Sequence, residues 1–165
     1  MPDMFLLIKD GPKGESVDSQ LKAPNMVIQS FSFGASNPST VGTTGAGSGA
    51  SRGMPSSVNI IKDLDAADPA LYMACLMGDH YPSATLVCRK SGGTQNIFYQ
   101  LDLTEVFVSN YNVSGNSGSG SDTPGVSFSL TFAQITITYT PQDATGKKGT
   151  PIKQGYNVTT QKKAS

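Results

Sequence analysis

The chain has 165 residues, of which 37% are apolar and 18 are glycine, so it suffices for a single domain over residues 1–165 but not for two of ordinary size. Its 12 basic and 12 acidic residues balance to a formal net charge of zero, which disfavours binding to nucleic acids and membrane surfaces because both need a basic excess. The two cysteines, Cys75 and Cys88, are too few for a disulfide-rich scaffold and too far apart for a CxxC redox or zinc pair, so we expect two buried free thiols.

The amino-terminal segment predicts a strand and no export signal. Met4 to Lys9 is a short apolar run that is closed by the turn residues Asp10, Gly11 and Pro12. The run is shorter than the apolar stretch of about 7–15 residues in a secretory signal, and no segment approaches the roughly 20 apolar residues of a membrane span. We therefore expect synthesis and assembly in the cytoplasm, no insertion into a membrane, and no use of the general secretory route.

The next apolar segment, Asn25 to Gly34, alternates between aromatic and hydroxyl side chains. Successive side chains of a strand point to opposite faces. Phe31 and Phe33 are therefore expected on one face, and Ser30 and Ser32 on the other.

Residues 35–57 are rich in Gly, Ser and Thr and have no periodic apolar pattern. Such a stretch cannot bury enough surface to offset its own ordering entropy. A loop longer than about 12–15 residues within a small domain is usually functional or disordered. Two interpretations stay open: a flexible surface loop, and an arm that becomes ordered against a neighbouring molecule.

One helix is predicted over residues 69–77. Asp68 is a suitable N-cap, Pro69 suits the first helical position, and Gly78 provides a left-handed stop. The apolar positions at helical spacing, which we expect to face the core, are Leu71, Ala74 and Cys75.

The rest of the chain predicts further strands over residues 57–62, 84–90, 95–103, 105–113, 126–140 and 155–160. A hairpin turn is expected at residues 91–94, a second flexible loop at 114–125 and a frayed tail at 161–165. In the strand from Val126 to Thr140 the apolar alternation shifts by one residue at Ala133 and Gln134, which predicts a β-bulge. The predicted fold is mainly β: a β-barrel or two-sheet sandwich of about eight or nine strands with one short lateral α-helix.

No catalytic constellation is recognisable. The one histidine, His80, follows Asp79, but no Gly-x-Ser-x-Gly elbow accompanies this pair, and neither cysteine has a signature that couples it to His80. Residues 144–150 lack the spacing of a phosphate-binding loop, and a metal site would need several clustered ligands. We predict a protein that is not an enzyme and has no catalytic residue, metal or cofactor.

Six stretches occur in an order typical of one protein family and together span nearly the whole chain. They are FLLIKDGPKGESVDS, IQSFSFGASNP, DPALYMACLMGDHYPSATLVCRKSGG, VFVSNYNVSG, SFSLTFAQITITYTPQ and IKQGYN. In these stretches the sequence resembles the hemolysin-coregulated protein (Hcp) family, the tube subunit of the type VI secretion system.

The resemblance implies a β-barrel-like fold whose copies form a homohexameric ring, with rings stacked into a hollow tube. The implied partners are further copies of the chain, a spike (VgrG-type) protein, a contractile sheath and effector toxins that the channel holds and stabilises. It also implies export by the type VI system without a signal peptide.

Two sets of residues are candidates for these roles. Ser30 and Ser32 are expected to face the channel, because they alternate with the two phenylalanines and because Ser32 falls where the family has a channel-facing serine. The long loop is expected to contact an adjacent subunit or ring through Ser36, Asn37, Thr43, Thr44, Ser48, Ser51 and Arg52.

Two competing interpretations are a monomeric carbohydrate-binding or adhesin-like β-sandwich and a small β-fold hydrolase. The first would normally present exposed aromatic residues and an export signal, and the chain contains no Trp. The second has no motif that supports it.

Overall fold

The computed structural model describes residues 2–18, 20–21, 25–38, 52–92, 95–118, 120 and 122–164, and these form eleven strands and one α-helix. In chain order they are β1 (Pro2–Ile8), β2 (Met26–Val27), β3 (Ser30–Ser32), β4 (Ala35–Ser36), β5 (Met54–Pro55), β6 (Val58–Asp63), α1 (Asp68–Met77), β7 (His80–Lys90), β8 (Ile97–Ser114), β9 (Gly125–Tyr139), β10 (Ile152–Asn157) and β11 (Lys162–Ala164).

The strands pair antiparallel around the long hairpin of β8 and β9. One path runs in the order β11-β10-β9-β8-β7-β1-β2, and β3 joins through β6, which also pairs with β9. The edge of β9 that faces away from β8 is shared, because residues 125–130 pair with β6 and residues 134–139 pair with β10. The described strands do not close into a barrel, and the two-sheet sandwich of the prediction fits the fold.

Both strands of this hairpin change their buried face at one level. In β8, Leu103 and Val106 are both buried although they are three residues apart, a spacing that places side chains of a regular strand on opposite faces. Between them, Glu105 has a left-handed φ of 52°. Thr104 lies opposite Gln134 and Val106 lies opposite Phe132, so the register is the same on both sides of this level. The expected bulge at Ala133 and Gln134 is therefore wrong. The buried face of β9 does change here, but β8 changes its buried face at the same level, which we call the matched irregularity opposite Glu105. Because β8 continues through this level, the two strands predicted at 95–103 and 105–113 are one strand.

The core covers one side of the helix. Leu71 and Ala74 are fully buried, as expected, whereas Cys75 is only half-buried. Gly78 ends the helix at φ 67° and its N–H donates to the carbonyl of Ala74, which confirms the predicted stop. Asp68 is not the N-cap: it is the first helical residue, because its carboxylate turns inward to a buried lysine described below.

Two predicted irregular segments contain regular structure. Within residues 35–57, Ala35 pairs with Pro55 and Ser36 with Met54, which closes the base of the long loop, while residues 39–51 lie outside the described ranges. The expected frayed tail is also wrong in part, because Lys162–Ala164 adds an edge strand to β10. The loop predicted at 114–125 falls between β8 and β9, with its end residues Ser114 and Gly125 belonging to these two strands.

Candidate functional site

The outer surface of β3, β6, β9 and the second half of β8 carries small polar side chains in register, which we call the serine–asparagine face. It consists of the outward side chains of Ser30, Ser32, Asn59, Ile61, Phe107, Asn110, Asn112, Ser127, Ser129 and Thr131. Nine of these ten are exposed and Ser129 is half-buried. None of the ten carries a charge, so the face offers hydrogen bonds without an electrostatic preference.

Strand pairing places the polar side chains in rows across four strands. Ser32 lies opposite Asn59, Asn59 opposite Ser129, and Ser129 opposite Asn110. Within this row the Ser129 hydroxyl donates to Oδ1 of Asn59 at 2.6 Å. The next row contains Ser30, Ile61, Ser127 and Asn112 in the same order.

The serines of β3 are held outward because the aromatic rings beside them pack inward. The Phe31 ring stacks on those of Phe33 and Tyr99, with centroid distances of 6.4 and 6.0 Å. Such pairs stabilise a fold beyond the area they bury. The alternation in the sequence therefore predicted the exposed position of Ser30 and Ser32 correctly.

Two apolar side chains interrupt the polar surface. Ile61 is 47% exposed and Phe107 is 42% exposed. The Phe107 ring contacts the ring of His80 at a centroid distance of 5.0 Å, so the lone histidine lies at one border of the face. At the opposite border, Nε2 of Gln29 donates to Oδ1 of Asp63 at 2.7 Å.

A buried ion network supports the face from behind and joins it to the helix. Lys62 has no exposed surface, and its Nζ lies 2.9 Å from Asp65 and 2.6 Å from Asp68. The Tyr111 hydroxyl donates to Oδ1 of Asp68 at 3.0 Å. Burial raises the pKa of Asp65 despite the nearby ammonium, and burial together with the Asp68 carboxylate raises the pKa of Tyr111 to about 12.

Sequence reasoning missed both this network and most of the face. The signal for Lys62 was its place in the inward series Val58, Ile60, Lys62, where a charge requires buried partners. Asn59 had an equivalent signal in the outward series of the same strand. The row that it forms with Ser129 depends on the pairing of distant strands, which local alternation does not reveal.

The residues predicted for the long loop fall into two groups. Ser36 lies in β4, Asn37 follows it, and Arg52 precedes β5, all three exposed. The other four lie outside the described residues: Thr43, Thr44, Ser48 and Ser51. Among the ranges that the structure covers, no helix has the length and apolar character needed to span a membrane.

Comparison with known proteins identifies the family. The model of the family described as "Type VI secretion system effector, Hcp" matches residues 5–139. Protein hcp1 of Pseudomonas aeruginosa is 41% identical over 103 residues, which are 61% of this chain; the chain spans 62% of the length of that relative.

Solved structures agree with the sequence match. A structure of a type six secretion system protein superposes with a TM-score of 0.92 at 29% identity, covering 99% of this chain and 100% of that one. The crystal structure of Hcp1 from Salmonella typhimurium has the same fold, with a TM-score of 0.76 at 24% identity and 99% coverage of each chain. The family match over most of the chain is decisive: this protein belongs to the Hcp family of the type VI secretion system.

Proposed function

We propose that the protein is the tube subunit of a type VI secretion system, in which six copies close into a ring and rings stack into a hollow tube. In this assembly the serine–asparagine face lines the channel, with Ser30 and Ser32 among its channel-facing groups. The observation that carries the proposal is this face itself: an uncharged, hydrogen-bonding surface in register over four strands of a chain from this family.

The chemistry of the face suits a channel wall. Rows of charge would attract cargo of one sign and repel cargo of the other, whereas hydroxyl and amide groups do neither. Small side chains also leave the channel wide. The exposed side chains of Ile61 and Phe107 provide apolar area for contact with a folded cargo.

The proposed partners follow from this role. Copies of the chain form the ring and the stack, a spike protein caps the tube, a contractile sheath surrounds it, and effector toxins occupy the channel. The protein then leaves the cytoplasm with the ejected tube. The function is structural and requires no catalytic group.

Sedimentation velocity combined with negative-stain imaging of the purified protein tests the proposal. We expect a particle near six times 17.2 kDa that appears as an annulus. A species that stays monomeric at high concentration and shows no annulus contradicts the tube and favours the monomeric β-sandwich binding module.

A further inference from the structure

The solvent-facing side of helix α1 is apolar, although it does not pack against the core. Tyr72, Met73, Leu76 and Met77 are each at least half exposed, and Met77 is 70% exposed. Their spacing places them in two adjacent columns along the helix, because residues four apart lie on one face. We call these four residues the helix stripe. A contiguous exposed apolar surface of this kind marks a site of contact with another molecule.

A second apolar surface lies at the base of the long loop. The β4–β5 hairpin and the β9–β10 pair enclose an open cavity of about 380 Å³, which we call the hairpin pocket. Its main lining side chains are Phe33, Met54, Ile137 and Tyr156. Beyond the pocket the apolar surface continues to Tyr139 and Ile152, which lie opposite each other and are about half exposed.

The two surfaces have borders of opposite charge. The exposed carboxylate of Asp79 follows the helix stripe, and the last turn of the helix contains no basic residue. At the hairpin pocket, Arg52 precedes the lining strand β5, and Lys163 lies opposite Tyr156 in the β10–β11 register. Arg52, Lys163 and Asp79 are exposed. Protein interfaces combine an apolar centre with a polar rim in this way.

We propose that the helix stripe of one copy occupies the hairpin pocket of the next copy. This inference rests on the proposed ring and names the surfaces that join its subunits. The occupant is a second copy because the chain supplies both halves of the match: a convex apolar row with an acidic border, and a concave apolar pocket with a basic border. A contact between two different surfaces of the same chain is head-to-tail, and a closed ring requires this type of contact.

Site-directed cross-linking tests which surfaces meet. Two variants, both with Cys75→Ser to remove the half-exposed native thiol, carry Met77→Cys in the helix stripe or Met54→Cys in the hairpin pocket. We expect a disulfide-linked dimer when the two variants are mixed and oxidised, and none from either variant alone. A mixture of Met77→Cys with Val17→Cys is the matched control, because Val17 is 97% exposed and belongs to neither surface.

Charge reversal at the borders provides a second test. Asp79→Lys and Lys163→Glu should each raise the concentration at which rings dissociate by about tenfold, because each places like charges together. The double variant restores opposite charges in every contact and should recover assembly. Lys153→Glu is the control, since Lys153 lies opposite Thr138 on the other side of the same sheet.

The outcomes separate this inference from the proposed function. Cross-linking in the mixture and recovery in the double variant support the contact. Normal rings from both single charge variants, together with no cross-link in the mixture, overturn the contact and leave the tube subunit intact. A wild-type protein that is monomeric throughout overturns both.

Discussion

Lys62 and Asp68 form a buried ion pair, with 2.6 Å between Nζ and Oδ2 and almost no solvent contact for either side chain. The pair joins strand β6 to the first turn of the helix, and Tyr111 extends it to β8. Both the helix stripe and the serine–asparagine face thus depend on one charged cluster behind them. Removing one member of such a cluster leaves the other charges buried without compensation.

Lys62→Met should lower the free energy of unfolding by about 3–5 kcal/mol, because the carboxylates of Asp65 and Asp68 then lose their cation. Urea denaturation measures the effect. Lys153→Met, at an exposed position, serves as the control and should stay within about 0.5 kcal/mol of wild type. Equal stability of the two variants would show that the buried pair contributes little.

Acid should weaken the interaction that holds the segment around Asp18 to Arg89. Arg89, which is 3% exposed, donates to Oδ2 of Asp18 at 2.6 Å and lies over the Phe5 ring. This hydrogen bond is the main reason that the pKa of Asp18 falls from 3.8 to about 2. A lowered pKa adds stability above the unfolded value, and that contribution disappears as the pH falls from about 4 towards 2.

Asp18→Asn is the variant that tests this pH dependence. The difference in unfolding free energy between wild type and variant should be largest near pH 5 and shrink towards pH 2. A difference that is constant over this range would assign the effect to packing and exclude titration.

Ser32→Gln should reduce the level of a co-produced toxin and leave the ring unchanged. The longer amide projects from the edge strand β3 of the serine–asparagine face into the space that cargo would occupy. Immunoblotting of the toxin and sedimentation of the ring measure the two effects. Ser117→Gln makes the same change in the exposed loop beyond Ser114 and should have no effect on the toxin. An unchanged toxin level in Ser32→Gln removes this serine from the channel.

Replacing residues 39–51 by a short Gly/Ser linker should weaken ring stacking and secretion but hardly change the melting temperature. The pairs Ala35–Pro55 and Ser36–Met54 stay in place and hold the ends of the loop together. Halving a loop alters its closure entropy by only about 0.6 kcal/mol. Calorimetry and filament length in negative stain measure the two effects, and wild-type secretion by the variant would assign no contact role to this segment.

The two cysteines should differ in reactivity. Cys88 is buried, and this burial raises the pKa of its thiol to about 11, whereas Cys75 is half-buried. Because the thiolate is the reactive form, a thiol reagent at pH 8 should modify Cys75 well before Cys88. Mass spectrometry of the time course identifies the order. Cys75→Ser should leave only the slow phase, and rapid loss of Cys88 in that variant would contradict the burial.

The strands of this protein were predictable where side chains alternate locally. The series from Val126 to Phe132 and the pair Ser30 and Ser32 are examples. Residues 95–103 and 105–113 were predicted as two strands, with Thr104 between them. A single strand continues through this position since the next residue adopts a left-handed φ. This backbone conformation depends on pairing with the neighbouring strand, so the local sequence does not predict it.

The interactions that were missed join distant parts of the chain. Asp68 is a residue type that commonly caps helices, but its carboxylate points inward and accepts a hydrogen bond from Lys62. The strand at Lys162–Ala164 exists because β10 offers an open edge, although its sequence has the polar character of a tail. The helix stripe was not singled out from the sequence, because only the observed packing shows which apolar residues of the helix the core leaves uncovered.

The matched irregularity opposite Glu105 has a mechanical consequence. Since both strands of the longest hairpin turn over at the same level, each passes from one layer of the sandwich to the other without a break in the chain. A load applied along either strand therefore crosses between layers through the covalent chain and through the ladder of strand pairs on either side, such as Thr104 with Gln134 and Val106 with Phe132. Shear of one layer past the other would have to rupture that ladder, which makes the subunit stiff along the direction of its longest strands.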